Sequence, residues 1–253
     1  MSDAAKHLRI FGASKGSIRI LALGDCNTNT VDPRQGTAAD GLADALTTRG
    51  YDTTLANLSG GMASSREGLA QVLNYVRPAD LAIINFGLVD SWVTTIPRIY
   101  VPYYPDNHIR KRLRKLLKSV KRKLRGTLLR NLVPTGPVVP PDEFTRNIRA
   151  ILRTVWQCNP LTEVFLWGTL PVEGNAERNV GIAEYNGLLK QVALTDSATF
   201  IDVEEVLAAQ PVHERFIDGV HLSPDSARLI GEHISDLYLN RQPQRVESRN
   251  KNA

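Results

Sequence analysis

The chain is poor in the residues that declare a chemistry by themselves. It has two cysteines in 253 residues, Cys26 and Cys158. That is too few for a disulfide framework, and neither lies in a CxxC or clustered Cys/His pattern, so no metal site and no cofactor are implied. No apolar run approaches the roughly 20 residues that span a bilayer. The opening MSDAAKHLRIFGASKGS has no apolar core of a secretory signal, which makes the cytoplasm the expected location. No internal repeat is found.

What is present is a globular composition, 42% hydrophobic, enough for a substantial core. Five apolar runs read as buried strands: IRILALG (18–24), YDTTLANL (51–58), DLAIINFG (80–87), TEVFLWGTL (162–170) and ATFIDV (198–203). Between and after them lie helical patterns at 38–48, 64–75, 142–156, 180–194 and 223–239. Strand and helix alternate, so the expected fold is α/β, a three-layer flavodoxin-like sandwich around a five-stranded parallel sheet. Ser223 followed by Pro224 marks the start of the last helix. The expected organisation is one domain over 1–240, with a polar and disordered tail over 241–253.

One element breaks this rhythm. Proline-rich stretches at 96–105 and 133–141 bracket a basic segment, so 96–141 reads as an insertion. Between Asp106 and Pro134 stand eleven Lys or Arg and, Asp106 included, one acid. The segment carries net +10, which leaves −5 for the rest of a chain whose total is +5. Apolar residues at Ile109, Leu113, Leu116, Leu117, Val120, Leu124 and Leu128 recur at spacings of one helical face. Three readings are open for residues 109–130: a solvated helix packed by its leucines on the domain, a peripheral contact with an anionic membrane surface, or a polyanion patch. Nucleic acid is the weakest, because no aromatic residues interleave with the cations to stack on bases.

In an open parallel sheet the ligand site lies beyond the carboxyl ends of the strands. After the first strand come Gly24, Asp25 and Cys26; after the second, Asn57-Leu58-Ser59-Gly60-Gly61; after the third, Gly87-Leu88-Val89-Asp90; and ahead of the last helix, Asp218-Gly219-Val220-His221. A thiol at a strand-to-helix turn is placed as a nucleophile, and an Asp and a His three residues apart on one loop can face it together.

These four stretches, in this order and at strand ends, resemble the blocks of the SGNH/GDSL hydrolase family. The resemblance implies Cys26 in the place of the nucleophilic serine, His221 as base and Asp218 as its orienter. It implies Cys26 and Gly60 as oxyanion-hole donors, with Gly61 leaving the register open, and Asp25, Val89 and Asp90 lining the substrate site. The third block departs from the family, since Val89 stands where the family has an asparagine donor. Asn85, two residues before Gly87, is expected to stay in its strand. The function implied is an esterase or acyltransferase acting on an ester-linked acyl group of a lipid or carbohydrate. The rival, favoured by the usual burial of free cysteine, is an inactive binding protein with the same cleft.

Overall fold

The computed structural model describes residues 15–75, 77–95, 107–125 and 134–251. Expectations for 1–14, for the proline-rich 96–105, and for Gly126, Leu128 and Arg130 lie outside the described residues.

Strand β1 (Ser17–Gly24) alternates exposed and buried positions before becoming wholly buried, as a central parallel strand should. It is followed by α1 (Ala38–Thr48), β2 (Asp52–Asn57), α2 (Ser65–Leu73), β3 (Leu81–Asn85), β4 (Val93–Thr95), α3 (His108–Arg125), β5 (Thr135–Pro137), α4 (Pro141–Cys158), β6 (Glu163–Trp167), α5 (Ala176–Thr195), β7 (Thr199–Ile201), α6 (Val203–Val206) and α7 (Pro224–Lys251). The main sheet runs β2-β1-β3-β6-β7, parallel throughout. That is the expected five-stranded flavodoxin-like order.

The period of two along each strand builds the two faces. Ile18, Ile20 and Ala22 of β1 join Leu81 and Ile83 of β3 in a cluster with the inward residues of α1 and α7. Leu21 and Leu23 join Ala82, Ile84 and Leu166 in the opposite cluster with α4 and α5. Each wholly buried Leu or Ile contributes roughly 1.5–3 kcal/mol, so the strand ends beneath the site are firmly held. Helices α1 and α7 meet backbone to backbone, because a Cβ on Gly231 would lie 2.3 Å from the Gly41 carbonyl carbon.

The insertion leaves and re-enters through an antiparallel ribbon that the sequence pattern does not announce, Val93 paired with Pro137 and Thr95 with Thr135. The chain is back in the core before 141: Val138 and Val139 are buried, and their N–H groups donate to the Trp92 and Asp90 carbonyls. Asn107 caps α3 by accepting from the Arg110 N–H.

Helix α7 runs on to Lys251, into the segment expected to form a polar tail. Among the described residues no helix is long and apolar enough to cross a membrane.

Candidate active site

The turn after β1 is built by close approach. A Cβ on Gly24 would sit 2.2 Å from Thr28 Oγ1 and 2.7 Å from the Asn85 carbonyl oxygen, so only glycine fits. Asp25 Oδ1 accepts from the Asn27 N–H at 2.9 Å, its main-chain carbonyl accepts from Thr28 and Asn29, and Gln35 Nε2 donates to the Cys26 carbonyl. These bonds fix the direction of the Cys26 side chain.

The loop before α7 is equally tied. Asp218 Oδ1 accepts from the N–H groups of Val220 at 3.1 Å and His221 at 2.8 Å. Its Oδ2 lies 2.7 Å from His221 Nδ1. Gly219, at φ +80, makes the reversal that allows this. Partial burial pulls the Asp218 carboxyl upward, but the bonds from His221 and Val220 outweigh it and hold the group below the usual carboxylate value. The two loops are joined, since the Leu222 N–H donates to Asn27 Oδ1 at 3.1 Å. The structure therefore brings together Asp218, His221 and the Cys26 turn, through an asparagine that the sequence reading passed over.

Cys26 itself is 3% exposed and packs with Leu88, Val172 and Ile182, with Val220 against them. Burial, followed by the neighbouring Asp25 carboxylate, drives the thiol far above its ordinary range. Opposing this are the backbone N–H groups of Met62 and of Cys26 itself, which face the sulfur, and the Arg178 guanidinium. Among the described residues no hydrogen bond joins the sulfur to His221. Burial thus favours the neutral thiol at Cys26.

The expected donor Gly60 is differently engaged, because its N–H donates to the Gly24 carbonyl at 3.1 Å. The N–H turned toward the sulfur belongs to Met62, which adopts φ 63, rare for a non-glycine residue. A backbone donor of this kind leaves no trace in the residue type, so no sequence signal marks it.

Asp25, Val89 and Asp90, expected in the site's lining, are fully buried. Asp90 Oδ1 accepts from the Ser65 N–H at 2.9 Å and so caps α2. Burial raises Asp25 to about 7 and Asp90 to about 6, and each has a second oxygen without a hydrogen-bond partner. Asn85 does stay in its strand, its Nδ2 donating to the Trp167 carbonyl at 2.9 Å, so it cannot replace the donor missing at Val89.

A second feature without sequence signal is Arg178 of α5. Its guanidinium lies 5.0 Å from the Trp92 ring centroid, and one Nη is 3.4 Å from the carbonyl oxygen of Leu88, the residue before Val89. Its Nε is buried and makes no hydrogen bond. Burial lowers its pKa, while Cys26 and Asp25 oppose that. Among the described residues no group of three or more His, Cys, Asp or Glu side chains is placed to hold a metal ion.

A doubly covered parallel sheet, with the Gly24-Asp25-Cys26 turn at the end of an interior strand and an Asp–His pair ahead of its last helix, fits the frame of an acyl-ester hydrolase. The chain belongs to the GDSL-like lipase/acylhydrolase family, which matches it over residues 22–229. Its fold is similar to that of a lipase/acylhydrolase from Enterococcus faecalis, with TM-score 0.58, 16% identity, and coverage of 88% of this chain and 96% of that one. It is similar also to a catalytic mutant of Axe2, an acetylxylan esterase from Geobacillus stearothermophilus, with TM-score 0.56, 18% identity, and coverage of 90% and 96%. For TesA the figures are 0.54, 18%, 89% and 98%. No curated protein matches the chain by sequence.

Proposed function

We propose that this protein hydrolyses small acyl esters, the acyl group being carried by a carbohydrate or lipid alcohol, through a thioester on Cys26. The observation that carries the reading is the 2.7 Å Asp218–His221 pair, anchored to the Cys26 turn through Asn27. Two further structures of Axe2, described as catalytic mutants, carry substitutions at an aspartate and a histidine three positions apart. That is the spacing of Asp218 and His221.

The chemistry follows from a neutral thiol. With Asp218 holding Nδ1, His221 takes the Cys26 proton as the sulfur attacks the ester carbonyl carbon. The tetrahedral oxyanion is met by the N–H groups of Cys26 and Met62. The alkoxide leaves with the proton from His221, giving an acyl-thioenzyme. Water, deprotonated by His221, then releases the carboxylic acid and restores the thiol; an alcohol in its place would make the reaction an acyl transfer. Arg178, beside the Val89 turn, supplies positive charge where the family's asparagine donor is missing. The apolar side chains packed around the thiol favour a short acyl group.

The test is hydrolysis of p-nitrophenyl acetate by the wild type, Cys26→Ala and His221→Ala. Turnover by the wild type that both variants lose supports the reading; turnover that survives in Cys26→Ala sinks it. The buried, protonated thiol favours a second reading, a binding protein that keeps the cleft without chemistry. That reading predicts no turnover in any of the three, with acetyl-ester binding unchanged in Cys26→Ala.

A further inference from the structure

Helix α3 spans His108–Arg125, about 27 Å at 1.5 Å per residue. Most of its described apolar stripe faces solvent: Ile109 is 78% exposed, Leu116 61%, Leu113 43% and Val120 41%, while Leu117 is half-buried. Of the readings open for this segment, packing of the leucines onto the domain would have buried more of them than Leu117. Four exposed large aliphatic side chains on one helical face are unusual for a soluble surface, where a contiguous apolar patch marks an interaction site.

The polar faces decide the occupant. Within α3 stand ten Lys or Arg and no acid, and they flank the stripe on both sides, with Arg112 and Lys123 along one edge and Arg110 and Arg114 along the other. A second copy of this chain would bring two such cationic helices together, and the like charges oppose that. A nucleic acid would engage the cations but leave the stripe in water. An anionic bilayer surface satisfies both, taking the aliphatic side chains into the acyl boundary while the cations meet the headgroups.

We propose that α3 is an interfacial helix that docks this protein on membranes rich in anionic lipid. The helix belongs to the insertion whose base is the β4–β5 ribbon. That ribbon starts one residue after Trp92, the side chain stacked on Arg178 beside Cys26. Docking through α3 thereby brings to the membrane an excursion rooted at the catalytic rim. The proposal stands on the helix alone and does not need Cys26 to be active.

The experiment is co-sedimentation of the full chain with phosphatidylcholine vesicles, with and without phosphatidylserine, at low and high salt. The wild type is expected to bind only the phosphatidylserine-containing vesicles and to be released by salt. Ile109→Glu combined with Leu116→Glu should weaken binding at least about tenfold, since two large aliphatic anchors are lost. Each of Arg114→Ala and Lys118→Ala should weaken it roughly fivefold. Both exposed apolar positions can be changed without touching the core, so the thermal melt and hydrolysis of a soluble ester should match the wild type. Cys26→Ala should bind like the wild type, which separates this proposal from the catalytic one. No binding to anionic vesicles overturns it. So does binding that the double Glu variant retains, or binding of single-stranded DNA in preference to the vesicles with the apolar positions irrelevant, which would assign the helix to a polyanion.

Discussion

The two halves of the site lie at different depths. Asp218 and His221 stand at the rim, partly in water, and form an ion-pair-ready couple at 2.7 Å. Cys26, like Asp25 and Asp90, is buried, and burial raises all three and keeps the thiol protonated. A preformed thiolate–imidazolium pair would need the sulfur in a polar, electropositive pocket. Under the proposed mechanism the base lies on the solvent side and a neutral nucleophile in the interior, so the thiol would be used much as a hydroxyl, with proton transfer coupled to attack.

The largest effects should come from breaking the rim half or the nucleophile. His221→Ala should lower kcat/KM for p-nitrophenyl acetate by about 10⁴-fold, the upper range for a positioned base, and Cys26→Ala should abolish turnover. Asp218→Asn should cost roughly 10²-fold or more by releasing the imidazole from its orientation. Next in size is the charge beside the Val89 turn. Arg178→Met should lower kcat roughly 10²-fold with KM little changed, and Arg178→Lys should recover part of it, as expected for a group acting on the oxyanion. A fall confined to KM would assign Arg178 to substrate binding instead.

Cys26→Ser sharpens the contrast further. If the thiol works as a neutral nucleophile through His221, the serine variant should keep activity to within about tenfold, because the base does the same work on either group. Loss as complete as in Cys26→Ala would mean that an ionised sulfur is essential.

The smallest expected effect concerns stability. Asp25 is raised from 3.8 to about 7 in the folded protein, so the folded state holds its proton more tightly than the unfolded chain. The resulting stabilisation is fully present below about pH 4 and is lost as pH rises through about 7. Its slope is at most about 1.4 kcal/mol per pH unit for one proton. Urea unfolding of Asp25→Asn should therefore show a flatter decline between pH 5 and pH 7 than the wild type. An unchanged slope would remove Asp25 as its source.

Most of the fold was legible because strand and helix each impose a period. The five apolar runs coincide with β1, β2, β3, β6 and β7 to within a few residues, and the alternation of Leu21 and Leu23 against Ile20 and Ala22 sorts the two faces of the sheet. The ribbon β4–β5 was not legible, since three-residue strands carry no period. At the site, Cys26, Asp218 and His221 were readable as residue types at strand and loop ends. The bond from the Gly60 N–H to the Gly24 carbonyl depends on tertiary register and leaves no mark in the sequence. Met62 contributes its backbone alone, and Arg178 arrives from a helix more than 80 residues from Leu88 in sequence. Such contacts exist only once the chain is folded.

The most direct test of the account is the intact mass of the protein after brief mixing with p-nitrophenyl acetate, followed by mapping of the modified residue. An acetyl thioester on Cys26 is expected in the wild type and should be absent in His221→Ala. Ester hydrolysis with no acetyl group at Cys26, or acetylation there that proceeds equally without His221, would contradict it.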